Sequence, residues 1–135
     1  MFYRMLAIIL MLVGVTFAVP VSAQIAVIVN PANSVALTSD ELTRLFTGRS
    51  SALTAVNLAE SSPLRSEFDE KGVGRSSAQL KAHWSKLMFT GKGTPPTELA
   101  TEAEVLAYVA QNPNAIGYVN AASVTAAVKV ALTLD

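Results

Sequence analysis

Hydrophobic and polar positions along this chain fall into strand-like runs separated by helical stripes. Ile25-Ala26-Val27-Ile28-Val29 is apolar at every position, the pattern of a strand covered on both faces. Asn30-Pro31-Ala32-Asn33-Ser34 breaks it. Thr38-x-x-Glu41 forms a capping box, Leu42, Leu45 and Phe46 follow at helical spacing, and Gly48 suits the position just past a helix end. Leu53 to Leu58 reads as a second strand. Ser62 and Pro63 then open a helix predicted to run to about Lys71, stopped by Gly72-Val73-Gly74. Ser76-x-x-Gln79 is another capping box, followed by Leu80, Trp84 and Leu87 on one stripe with Met88 alongside. Two glycines and two prolines make Gly91 to Pro96 a loop. Thr101-x-x-Glu104 caps a further helix carrying Val105, Leu106, Tyr108 and Val109, ended by Asn112-Pro113-Asn114. Ala115 to Val119 is a short strand. Val128, Val130, Leu132 and Leu134 alternate with smaller or polar residues, as in a half-exposed final strand.

The predicted order is β-α-β-α-α-α-β-β. Strands interleaved with helices imply a layered α/β domain around a central sheet. In open sheets of this kind, ligands gather where strands end and helices begin.

The N-terminus has a separate logic. Met1 to Arg4 is a short basic region, Met5 to Phe17 is apolar apart from Gly14 and Thr16, and Val21-Ser22-Ala23 is a small-x-small cleavage site. This is the pattern of a secretory signal peptide over residues 1–23, leaving 24–135 as one domain that begins at Gln24. The apolar stretch is short for a bilayer span, and cleavage leaves no stable membrane span. The expected location is periplasmic or secreted. With Arg4 set aside, nine basic residues face ten acidic ones, a balance that gives no reason to expect nucleic acid as a partner. The chain has no Cys, so its stability rests on its core.

Candidate chemistry concentrates in Glu60-Ser61-Ser62-Pro63-Leu64-Arg65-Ser66-Glu67-Phe68, between the second strand and the helix it feeds. Ser62 is a good N-cap, and the Leu64 and Arg65 amides are expected to lack intrahelical acceptors. Two hydroxyls and a guanidinium beside them make a donor set for an oxyanion, with Ser61, Ser62, Leu64 and Arg65 as the candidate ligand-binding residues. The competing reading is a plain capped helix with Arg65 solvated or paired to Glu60 or Glu67. Other chemistry is thin. His83 is the single His, which with no Cys argues against a metal. No Gly-x-Ser-x-Gly elbow or phosphate-binding Gly fingerprint occurs, so no enzyme and no cofactor is expected. Gly91-Lys92-Gly93 offers a cation on a loop, or simply a solvated Lys.

Ser62-x-x-Arg65-x-x-Phe68 resembles the Ser-Gly-Thr-Arg-x-x-Phe segment of phosphate-type periplasmic binding proteins, the solute-binding components of phosphate ABC transporters. Leu37-Thr38-x-x-Glu41-Leu42-x-x-Leu45-Phe46-x-Gly48 is similar to that family's helix and Phe-x-Gly-Lys turn, with Arg49 for the Lys. Asn112 to Val119 resembles its Pro-Gly-Ala-Ile-Gly-Tyr-Val strand entry. Trp84, Phe89-Thr90-Gly91-Lys92-Gly93 and Pro95-Pro96 are like a group of short exported members. The resemblance covers nearly all of residues 25–120 and implies a single-lobe, periplasmic-binding-protein-like domain with a central mixed sheet flanked by helices. It further implies a phosphate-like oxyanion as ligand and a transporter or other envelope protein as partner. Pro63 and Leu64 stand where the family has Gly and Thr, which removes one amide donor and one hydroxyl. Weak binding is therefore the expectation, and an envelope interaction or structural protein that keeps the lobe without its ligand is the alternative.

Overall fold

Strand β1 (Ile25–Val29) is buried along its whole length, as its unbroken apolar run predicts. It lies antiparallel between β4 (Ala115–Asn120) and β5 (Lys129–Leu134). Strand β2 (Thr54–Leu58) runs parallel to β4 on one side and to β3 (Thr97–Leu99) on the other. The result is a five-stranded mixed sheet in the order β3-β2-β4-β1-β5. The computed structural model that shows this describes residues 24–135. The signal peptide expected over residues 1–23 lies outside the described residues. Among the described residues no helix is long and apolar enough to cross a membrane.

Helices cover both faces, and β4 shows how. Gly117 faces α4 (Glu102–Gln111) so closely that a Cβ built there would lie 2.7 Å from Val105 Cγ1. The next residue, Tyr118, points to the opposite face and meets Phe46 of α1 (Ser39–Phe46) and Phe68 of α2 (Pro63–Phe68). The two-residue period of a strand thus separates the two helical layers. Three of the four expected capping residues make their bonds. Thr38 accepts from the Glu41 amide, Thr101 accepts from the Glu104 amide, and Ser76 and Gln79 complete a reciprocal box at the start of α3 (Ser77–Phe89).

Three boundaries differ from the sequence reading. Strand β2 begins at Thr54 rather than Leu53. The helix opened by Pro63 widens at Asp69 into a π-helical turn, Asp69–Val73, closed by Gly74 in the left-handed region at φ 77°. Strand β3 was not expected at all. Its three residues follow Pro95-Pro96 and are mostly exposed, so neither apolar alternation nor length marks them. The final strand is an edge strand, and a bulge opposite Val27 and Ile28 breaks its alternation.

Candidate functional site

Strand β2 ends at Leu58, the chain turns through Ala59 to Ser62, and α2 begins at Pro63. The Ser62 amide donates to the Ala59 carbonyl at 2.9 Å and closes this turn. Ser62 occupies the N-cap position, but its hydroxyl makes no capping bond. The Arg65 amide donates to the Ser62 carbonyl at 3.1 Å, so it is not the free donor expected from the sequence. Ser61 is exposed and Ser62 half-buried, while the Leu64 side chain packs against the central core.

The Arg65 side chain points inward. The residue is 7% exposed, and its Nη1 donates to the Leu58 carbonyl at 3.1 Å and to Glu98 Oε1 at 2.6 Å. Its Nε lies 3.6 Å from Asp69 Oδ2, one helical turn on. Among the described residues it pairs with neither Glu60 nor Glu67. Glu60 instead approaches Lys81, with 3.9 Å between Oε2 and Nζ. Asp69 is 1% exposed. Its Oδ2 accepts from Ser77 Oγ at 2.6 Å, whereas Oδ1, like Arg65 Nε, has no hydrogen-bond partner among the described residues. Burial raises the Asp69 carboxyl above its ordinary range, and the Ser77 hydroxyl and the Arg65 charge offset that only in part.

A buried polar brace holds Leu58 in position behind the guanidinium. The Leu58 amide is shared between Asn57 Oδ1 at 3.0 Å and Tyr118 Oη at 3.2 Å, and the Tyr118 hydroxyl in turn donates to Asn57 Oδ1. Burial pushes the Tyr118 phenol well up. In front of Arg65 lies a cavity of about 190 Å³, lined by Glu60, Arg65, Lys81, Trp84, Met88 and Glu98 together with Ser85 and Pro95. Ser61 and Ser62 do not line it. His83 is occupied elsewhere, with its Nε2 2.8 Å from the Thr47 carbonyl at the end of α1.

The structure keeps the expected turn and Arg65 next to each other, but gives the guanidinium partners that the sequence reading does not name. Asp69 was detectable, since Arg65 and Asp69 are four residues apart on one helix. Glu98 and Lys81 carried no local signal.

The decisive comparison is with solved structures. An ABC-type phosphate transport receptor from Vibrio cholerae matches with a TM-score of 0.63 at 21% identity over 80% of this chain. A phosphate ABC transporter substrate-binding protein with bound phosphate, from Clostridium perfringens, matches with a TM-score of 0.63 at 22% identity over 80% of the chain. The fold is that of the phosphate-type solute-binding proteins. The chain spans less than half the length of these two, 46% and 44% respectively. Neither a protein-family model nor a curated protein matches the sequence. The turn that carries Ser61 and Ser62 lies at the carboxyl end of a parallel strand that leads into a helix.

Proposed function

We propose that this protein is an exported solute-binding module that holds a small oxyanion, such as phosphate, weakly at the β2–α2 turn. Residues 24–135 form the binding domain, the periplasm or the exterior is its place of action, and a transporter or other envelope protein is its partner. The observation that carries the reading is the setting of Arg65. Its guanidinium is buried and held in orientation by Leu58 and Asp69, yet its closest anion, Glu98, is a half-exposed side chain on a three-residue edge strand. An oxyanion that displaces the Glu98 carboxylate meets an arginine already positioned, with the Ser61 and Ser62 hydroxyls at the neighbouring turn. The phosphate-bound neighbour of the same fold supports this ligand class.

Four features keep the affinity low. Pro63 has no amide donor, Leu64 has no hydroxyl, the Arg65 amide is already bonded, and Glu98 competes for the guanidinium. Each absent charge-assisted bond costs ~1.5–3 kcal/mol, roughly one to two decades in affinity. The test is the melting temperature against phosphate and sulfate, with chloride at matched ionic strength as reference. The wild type should show an anion-specific rise, and Ser61→Ala/Ser62→Ala should lose part of it. If no anion outperforms chloride, the reading fails. The alternative of an envelope interaction module draws its support from Phe89, which is 94% exposed at the end of α3.

A further inference from the structure

The cavity over Arg65 is balanced in charge. Arg65 and Lys81 bring two positive groups to it, Glu60 and Glu98 bring two negative ones, and Trp84 and Met88 form an apolar wall. We infer that the solute this cavity takes is a zwitterion with a short apolar arm, of the free amino acid class, rather than a phosphate dianion. The inference rests on the reading of Arg65 as an anion site and specifies the ligand that site prefers.

Three observations lead there. The first is electrostatic. A dianion entering beside two carboxylates is repelled by both, and the two cations it meets are already paired, Arg65 with Glu98 at 2.6 Å and Lys81 with Glu60 at 3.9 Å. A zwitterion adds no net charge. Its carboxylate exchanges with that of Glu98 on Arg65, and its ammonium is received by the carboxylates of Glu98 and Glu60. The second is chemical. The group now resting on Arg65 Nη1 is itself a carboxylate, so the guanidinium is already set to hold one. The third is shape. At about 190 Å³ the cavity falls below the ~300–1,000 Å³ of pockets for drug-sized ligands. Its lining combines four charged side chains with the apolar side chains of Trp84 and Met88, which suits a small solute that carries both charged groups and a few carbons.

The experiment is calorimetric titration of the mature chain with L-leucine, with 4-methylpentanoate, which lacks the ammonium, with isopentylamine, which lacks the carboxylate, and with inorganic phosphate. L-Leucine should bind more tightly than either half-molecule and more tightly than phosphate. Two variants sharpen the test. Lys81 and Glu60 side chains are 69% and 53% exposed, so Lys81→Met and Glu60→Gln leave the fold intact. Glu60→Gln should weaken L-leucine by about two- to fivefold while phosphate stays level or tightens. Lys81→Met should weaken both L-leucine and 4-methylpentanoate. If phosphate binds and L-leucine does not, or if 4-methylpentanoate matches L-leucine, the zwitterion inference is overturned and the anion reading stands. An unchanged ratio of L-leucine to phosphate affinity in Glu60→Gln overturns it equally. If none of the four probes binds, the anion reading of Arg65 itself fails and takes this inference with it.

Discussion

Phe68 and Tyr118 stack face to face, with ring centroids 3.7 Å apart and planes within 5° of parallel. The contact ties the helix that carries Arg65 to the strand at the centre of the sheet. The Tyr118 hydroxyl continues the tie, through Asn57 and the Leu58 amide, to the carbonyl that accepts from Arg65. Tyr118→Phe keeps the stack but leaves Asn57 Oδ1 without the hydroxyl donor. It should cost ~1–2 kcal/mol in urea unfolding. Tyr118→Leu loses the aromatic stack as well and should cost a further ~0.5–1.5 kcal/mol. Equal losses in the two variants would show that the stack contributes nothing.

The buried carboxyl of Asp69 gives stability a particular pH dependence. Its pKa in the folded protein is raised above the ordinary 3.8, mainly through burial. The native state therefore holds that proton more tightly than the unfolded chain does. The stability from this group is fully present below the unfolded value and is lost as pH rises through the folded one. Asp69→Asn keeps the shape and an acceptor for Ser77 but cannot ionise. Measured by urea midpoints from about pH 3.5 to about pH 7.5, the stability of Asp69→Asn relative to wild type should rise with pH. A constant difference across that range counts against the assignment.

Trp84 and Gly48 are coupled by close approach. Gly48 sits at φ 81°, where a side chain is strained, and a Cβ built there would lie 2.8 Å from Trp84 Cη2. Trp84 is buried, as its place on the Leu80 stripe predicts, but it links α3 to the turn after α1 and to Gly93. Trp84→Ala should destabilise by ~3–5 kcal/mol. Gly48→Ala should cost ~1–3 kcal/mol, and less in the Trp84→Ala background, where the clash is gone and only the backbone strain remains. A denaturant cycle over the four proteins measures that difference, and strict additivity would remove the proposed contact.

These couplings mark the limit of what the sequence discloses. Elements built on local rules were legible: the N-cap at Thr38 and the capping box at Ser76, the fully apolar β1, and the Ile116-Gly117-Tyr118-Val119 strand. Each depends on residues within one turn or one strand of each other. Strand β3 was not legible, because a three-residue edge strand after two prolines has no periodicity to read. The candidate site divides along the same line. Ser61, Ser62 and Arg65 stand together in sequence, whereas Glu98, 33 residues from Arg65, reaches it only because β3 lies beside β2. The inward turn of Arg65 follows from that long-range carboxylate together with Asp69, and no rule about helix starts contains it.

Within the proposed site, Glu98 is the residue where stability and ligand affinity oppose each other. In the free protein its carboxylate satisfies a guanidinium that is otherwise buried beside Leu58 and Asp69. Glu98→Gln keeps an acceptor oxygen but removes the charge. The Glu98 side chain is 49% exposed, so solvent screens much of the pair, and the ligand-free protein should lose only ~1 kcal/mol. Arg65→Ala is the harsher change. It strands the buried Asp69 carboxyl and should cost about 3–5 kcal/mol, so loss of anion response in that variant would not separate binding from folding. Removing the charge at Glu98 acts on affinity in the other direction. An incoming oxyanion no longer competes with a tethered carboxylate and should bind roughly fivefold more tightly, the equivalent of ~1 kcal/mol. For a zwitterion the gain is offset, because Glu98 is also a receiver of the ammonium. Thermal unfolding of Glu98→Gln with and without phosphate, and with and without L-leucine, measures both sides on one protein. The expected result is a lower melting temperature without ligand, a larger phosphate shift than in wild type, and a leucine shift that does not grow in step. A phosphate shift no larger than that of wild type would show that Glu98 does not occupy the anion's place, and the Arg65 site would lose its main support.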